Sequence, residues 1–479
     1  GREVFLDAYS YAAVREVIEP VFDRLLDHAP PARPELRQLS DVLRRRYPGG
    51  AGATNVGTAN AARVPGKRKR PVPPGDVYDL VVFWKQNDTS IYGRRQDMFV
   101  KYLERTGRFH TIVHFDNPIT PEVLVKNLML AKGATDQRRL VIRQTLARFL
   151  HRRDRGRVRY RTFLYGGRRS GILPLPKRSA YAGYVASVLA RSGVGTRPTV
   201  FWVYPTNDDL PALIDALEPD VVVADVVDDD RTWHRETSPH YDRIDVNYER
   251  VLARSDVVIA NCAPVAESMR DLAPEIHVVP NACDLPDGAE APPRPKQLRG
   301  MRGPIIGYIG NLSARIDLAL LDAIARRRPQ WQFVFVGSAH FDQSILRLDA
   351  LPNVHFVGVK PYDEARRFVA HFDVGLIPHL DNEMTRSMNP LKAYVYLAAG
   401  VPVVSTPIAN LSELSGLAGP SGRFAVAEGP DAFVAAIEEA LRAGRRAPDA
   451  KLLRPSSWPA RTDAVMKLID AAMRRPADD

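Results

Sequence analysis

The chain has 479 residues, too many for a single hydrophobic core, so two domains with an appendage are expected. Its apolar share of 45% is that of an ordinary soluble protein, and no uninterrupted apolar run approaches the roughly 18–20 residues of a membrane span. With 67 basic against 56 acidic residues the net charge is +11, which points to anionic partners: nucleotide sugars, anionic lipids or nucleic acid.

The first segment, 1–46, is expected to be a helical extension. Val14, Val17, Ile18, Val21, Phe22, Leu25 and Leu26 keep a spacing of three and four, and Leu36, Leu39, Val42 and Leu43 mark a second helix. Arg2, Glu3 and Asp7 break up the apolar residues at its start, so it does not read as a signal peptide. Residues 47–76 are rich in Gly and Pro and carry Lys67-Arg-Lys-Arg70. Few large apolar groups remain there to offset the entropy of ordering, so a flexible basic linker is expected.

From Val77 short apolar runs alternate with helical stretches. The expected strands are Asp79–Trp84, Thr111–Phe115, Thr199–Tyr204, Val221–Ala224, Val257–Ala260 and His277–Val279. Past a Pro-rich joint at 284–303 follow Ile305–Ile309, Gln332–Val336, Val354–Val357, Val374–Pro378 and Pro402–Ser405. The alternation predicts an α/β protein with two doubly wound, Rossmann-like domains, at 77–290 and 291–450. Ligands of such sheets bind beyond the carboxyl ends of the strands, here in the cleft between the domains.

Two segments of the second domain describe a phosphate seat. In Asn389-Pro-Leu-Lys392, a loop enters a helix at Pro390, and Gly400 closes that helix. A helix N-terminus offers free N–H groups to an anion, and Lys392 adds a full charge. In Ile306-Gly-Tyr-Ile-Gly-Asn-Leu-Ser313, a strand runs into a turn where Gly307 and Gly310 permit close backbone approach, with Arg315 just beyond. Trp331 to Gly337, Asn353 to Gly358 with Tyr362, and Phe372 to Pro378 complete an ordered series.

This series resembles the retaining GT-B glycosyltransferases of family-four type, particularly bacterial polysaccharide and teichuronic-acid transferases. The likeness is strongest from about Ile305 to Thr406. It continues into Ser456-Ser-Trp-Pro-Ala-Arg461, which looks like the family's closing helix, so residues 451–479 are expected to cross back to the first domain. Val278-Val-Pro-Asn-Ala-Cys-Asp284 is close to the usual motif at the domain joint. The resemblance implies a nucleotide-diphosphate sugar, UDP- or GDP-linked, held by the second domain without a further cofactor or a metal. Its donor contacts would be Gly310, Asn311, Gly337, Val359, Tyr362, Glu383, Asn389, Pro390 and Leu391, with Arg315 and Lys392 on the leaving diphosphate. One departure stands out. Family members usually carry Glu where this chain has Val395, and its partner Glu would lie near Ser387.

In the first domain, Arg94 and Arg95 follow the first strand and are candidates for acceptor binding, against a reading as solvated arginines at a helix start. Asp228 and Asp229, past the strand Val221–Ala224, lie where an acceptor hydroxyl would be held or deprotonated; an acidic helix cap is the competing explanation. Between Arg138 and Arg178 there are fourteen Arg or Lys and one acid, Asp154, interleaved with aromatic and apolar residues. That mixture suits an anionic membrane surface, and nucleic acid less well, since no nucleic-acid fold signature accompanies it; a solvated basic surface with no partner is the competing explanation. Cys262 and Cys283 have no metal-like pairing, so a cytoplasmic protein, peripheral on the inner face of the membrane, is expected. The expected function is sugar transfer to a glycan or lipid-linked acceptor. The alternatives are a non-catalytic GT-B binding module, favoured by Val395, and a nucleic-acid-modifying transferase.

Overall fold

The computed structural model describes residues 77–475, apart from 88, 90–91, 121–153, 155, 167–174, 286–291, 313, 340–343, 412–413, 415 and 417–422. The helices read at 2–46, the linker at 47–76, Ser313 and much of the basic segment 138–178 therefore lie outside the described residues.

Runs of β-branched and aromatic residues build two all-parallel sheets. In the first, β1 (Tyr78–Phe83), β2 (Phe109–Phe115), β3 (Val158–Arg161), β4 (Thr199–Val203), β5 (Val221–Val226), β6 (Val257–Ala260) and β7 (His277–Val278) pair in the order β3-β2-β1-β4-β5-β6-β7. Every residue of β1, β4 and β5 is buried, because helices cover both faces. In the second, β8 (Ile305–Ile309), β9 (Gln332–Val336), β10 (Val354–Gly358), β11 (Val374–Ile377), β12 (Val403–Ser405) and β13 (Phe424–Val426) pair in the order β10-β9-β8-β11-β12-β13. Strand order reverses between β1 and β4 and again between β8 and β11. The crevices at those two reversals are where such sheets hold ligands.

The eleven expected strands are present with ends moved by a residue or two, and β3 and β13 are additions. The edge strand β3 reads Val-Arg-Tyr-Arg, so its charges hide its pairing with β2. It lies within the basic 138–178 segment, where Val158 and Phe163 point into the core. Arg161 is bonded to Asp154 at 2.7 Å, and Arg178 to Asp209. The described part of that segment is therefore partly sheet edge, its apolar members spent on packing.

Four helices frame the cleft. Helix α1 (Arg95–Arg105) follows β1, α2 (Leu318–Arg327) follows β8, α3 (Tyr362–Val369) follows β10, and α4 (Leu391–Ala398) links β11 to β12. Asp317 caps α2 by accepting from Leu320 N at 2.9 Å. Helix α4 begins after Pro390 and ends before Gly400, whose φ of +71° suits a residue without Cβ.

The last helix, α5 (Trp458–Arg474), leaves the second domain and packs on the first. Trp458, Val465, Met466, Ile469 and Met473 join the core that includes Leu80, Phe99 and Trp202. The Phe99 and Trp458 rings meet edge to face at 5.4 Å. Asp470 accepts from Tyr78 Oη at 3.0 Å and pairs with Arg108 at 2.8 Å. At the joint, Cys283 N donates to Ser456 O and Trp458 N to Cys283 O, both at 3.0 Å. Among the described residues no helix is long and apolar enough to cross a membrane.

Candidate active site

Strand ends from both sheets meet in the cleft. From the second sheet, β8 leads into Gly310 and Asn311, and β11 leads into Pro378 and His379. Gly310 has a φ of +128°, and a Cβ placed there would lie 3.4 Å from Lys392 Cε, so the turn after β8 rests on the first turn of α4. A Cβ on Gly337 would stand 1.8 Å from Gly310 O. Gly337 thus lets the two strand ends touch. Tyr396 on α4 fixes the same turn, its hydroxyl accepting from Ile309 N at 2.8 Å.

Lys392 reaches over the Tyr308 ring, 5.0 Å from its centroid, and its Nζ lies 3.3 Å from His379 Nε2. His379 is buried and its Nδ1 has no hydrogen-bond partner. Burial, with Lys392 and Arg315 beside it, holds the His379 pKa well below its ordinary value, so the imidazole is neutral. Burial also lowers the pKa of Lys392, helped by Arg315 and opposed by Asp228, to about 7. Arg315 follows the β8 turn; its Nη1 lies 3.1 Å from Met388 Sδ, and Leu380 N donates to its carbonyl at 2.8 Å. Arg315 is thus near enough to Lys392 and His379 to act on both electrostatically.

From the first sheet, Lys85 follows β1 and Asp228 follows β5. Lys85 Nζ pairs with Asp230 at 2.9 Å and donates to Val227 O at 3.1 Å. Asp228 adopts a φ of +60°, uncommon for a residue with a Cβ, and accepts from Asn261 Nδ2 at 2.9 Å. Burial raises the pKa of Asp228, against the pull of Lys85 and Arg315. A strained aspartate of one domain therefore faces the cations of the other across the cleft.

The remaining expected residues divide. Asp229 is buried and caps the 3-10 turn Asp230–Trp233, accepting from Arg231 N at 3.0 Å and pairing with the Arg231 guanidinium at 2.8 Å. That is the cap reading; of the two aspartates, Asp228 is the one among the cations. Arg95 is only 3% exposed and is bonded to Asp225 at 3.0 Å and to Val279 O at 2.7 Å. It is a strut inside the first domain, whereas Arg94 lies over the Tyr92 ring and is bonded to Gln86.

Asn389 holds the domains together: Asn281 N donates to its Oδ1 at 2.8 Å, and Asn281 Nδ2 donates to its carbonyl at 2.7 Å. Tyr362 and Leu391 lie against the first-domain core. The Tyr362 ring packs on Gly93, where a Cβ would come within 2.4 Å, and its hydroxyl donates to Asp284 at 3.1 Å. Val359 and Pro390 are buried, Asn311 is half-buried, and Glu383 is exposed at the start of a short helix, Glu383–Arg386. Val395 is half-buried against the second-domain core, and Ser387 is buried, its carbonyl 3.4 Å from Cys262 Sγ.

Lys85 and His379 were missed by sequence reasoning. Each lies two residues past the end of a strand at a reversal of strand order, and that position would have singled them out. Among the described residues, no group of three or more His, Cys, Asp or Glu side chains is arranged to hold a metal ion.

Comparison with known proteins adds a family to this geometry. Residues 303–443 match the family model described as glycosyl transferases group 1. TuaH of Bacillus subtilis (strain 168), named as a teichuronic acid biosynthesis glycosyltransferase, is 30% identical over 173 residues. That match spans 35% of this chain and 43% of the relative's length. An α,α-trehalose-phosphate synthase (UDP-forming) from Burkholderia xenovorans superposes with a TM-score of 0.52 at 14% identity, over 82% of this chain and all (100%) of that one. HepE of Anabaena, in complex with UDP-glucose, gives a TM-score of 0.51 at 13% identity, over 82% of this chain and 99% of that one. The chain has the GT-B fold, and residues 303–443 of its second domain are similar to the group 1 glycosyl transferases.

Proposed function

We propose that the protein transfers a sugar from a nucleotide-diphosphate donor to a glycan or lipid-linked acceptor. The observation that carries this reading is the meeting of Arg315, Lys392 and His379 with Asp228 across the cleft. Cleaving a glycosyl–phosphate bond builds negative charge on the leaving diphosphate. Arg315, a protonated Lys392 and the N-terminus of α4 are placed to stabilise that charge, in a partly water-excluded site where such stabilisation is strong. Asp228, bonded to Asn261, would hold the acceptor hydroxyl or a hydroxyl of the transferred sugar. Two cations on the diphosphate would do the work that a divalent metal does elsewhere, and transfer with retention is the stereochemistry proposed.

UDP and GDP are the donors to test first, since UDP-glucose is bound by one relative of the same fold. Contact with an anionic membrane through 138–178 is proposed for the lipid-linked case, with the protein on the cytoplasmic face.

The test is thermal shift with UDP, GDP, TDP and ADP, followed by donor turnover with candidate acceptors. Stabilisation by one nucleotide, with EDTA-resistant product formation, is expected. Binding without turnover would favour the non-catalytic module to which Val395 points. No stabilisation by any of them would overturn the donor reading.

A further inference from the structure

The 3-10 turn Asp230–Trp233 is fastened from every side, yet it ends in an exposed indole. Lys85 and Asp230 pair at 2.9 Å, and Asp230 N donates to Tyr248 Oη at 3.0 Å. Arg231 pairs with Asp229 at 2.8 Å and with Asp245 at 2.7 Å, while Thr232 Oγ1 donates to Asp229 O at 2.7 Å. Trp233 is nonetheless 41% exposed, whereas Trp84, Trp202, Trp331 and Trp458 are at most 3% exposed. Trp233 is thus the one tryptophan whose ring stays partly open to solvent, on a turn that these contacts hold in place.

Its position says which ligand. The turn follows β5 by way of Asp228, and the Arg315 guanidinium of the second domain lies 5.7 Å from the Trp233 ring centroid. The turn also lies against the short helix Glu383–Arg386 of the second domain. An acceptor must bring its hydroxyl to the anomeric carbon, which is bonded to the diphosphate. A group resting on Trp233 is therefore beside the reacting bond, on the first-domain wall. The apolar C–H face of a pyranose ring suits an indole, while its hydroxyls suit the Arg315 guanidinium over the Trp233 ring.

We infer that Trp233 is the platform for the acceptor's terminal sugar ring, a subsite that rests on the transferase reading above. An indole has only two side-chain torsions, so little side-chain freedom is lost on binding.

Because Trp233 is the accessible tryptophan, acrylamide quenching of intrinsic fluorescence reports on it directly. The probes are methyl glucoside, methyl galactoside and methyl N-acetylglucosaminide, each with saturating UDP, with sorbitol as the acyclic control. At least one glycoside should lower the quenching constant by about half or more, while UDP alone and sorbitol leave it unchanged. Saturation-transfer NMR should detect the same glycoside on W233F and not on W233A, with far-UV circular dichroism confirming that both variants fold. No shielding by any glycoside, equal shielding by UDP alone or by sorbitol, or NMR signals that fail to separate W233F from W233A would overturn the assignment. Absence of UDP binding to the unaltered protein would instead strike at the donor reading, so the two failures are distinguishable.

Discussion

Lys392 should take up a proton when donor binds. In the empty site its ammonium lies among Arg315, neutral His379, the Tyr308 ring and, on the opposite side, Asp228, and its pKa is about 7. At pH 8 such an amine is roughly nine-tenths neutral. A bound diphosphate, fully ionised at that pH, reverses the balance and favours the charged form. UDP binding at pH 8 should therefore absorb about 0.9 proton, and at pH 6 only about 0.1, since the amine is then already charged. Affinity should fall by up to about tenfold per pH unit above 8. Calorimetry of UDP binding in Tris and in HEPES, whose ionisation enthalpies differ, gives the proton count from the slope of apparent heat against buffer enthalpy. Lys392→Met should flatten that slope. Without donor the sign is set by linkage: the unfolded chain binds more protons between about 7 and the ordinary lysine value, so stability rises with pH across that window. Equal uptake at pH 6 and 8, or uptake that survives in Lys392→Met, would refute the assignment of Lys392 to the diphosphate.

Further outcomes follow from other parts of the structure. Arg315→Ala should lower turnover by an order of magnitude or more, the scale of lost leaving-group stabilisation; unchanged turnover in a donor-hydrolysis assay would remove Arg315 from the seat. Asp284 joins the domains, accepting from Lys101 at 3.0 Å and from Tyr362 at 3.1 Å, with Tyr102 and Arg366 alongside. Burial alone would raise its pKa, but Tyr102, Lys101 and Arg366 overcome it and hold the carboxyl below its usual value. Its stabilisation is complete above the unfolded carboxylate value near ~4 and is lost as pH falls through the lower folded value. Asp284→Asn should cost about 1–3 kcal/mol in urea unfolding at pH 7 and flatten the acid limb. Val395→Glu should tighten donor binding by roughly tenfold if the half-buried valine stands where a ribose contact is missing; calorimetry with UDP and GDP decides it. Trp458→Ala should cost about 3–5 kcal/mol by opening a cavity between α5 and the first sheet, read from urea midpoints.

The buried strands could be read from the chain because their pattern is local. A run such as Val221-Val-Val-Ala between charged segments has few alternatives to a strand covered on both faces, and alternation with helices implies parallel pairing. The helix of the proposed phosphate seat was legible for the same reason, since Pro390 and Gly400 mark its two ends. What escaped depends on partners distant in sequence. Arg95 looks like a surface arginine at a helix start until Asp225, 130 residues on, takes its guanidinium into the core. Asp228, Asp229 and Asp230 are alike in sequence. Tertiary structure gives Asp229 to Arg231 and Asp230 to Lys85, and leaves Asp228, in its left-handed conformation, near Arg315 and Lys392. The charge state of Lys392 was equally out of reach. Loops after three different strands wall it in, and the cost of desolvating a charge depends on what surrounds it in space rather than on its neighbours along the chain.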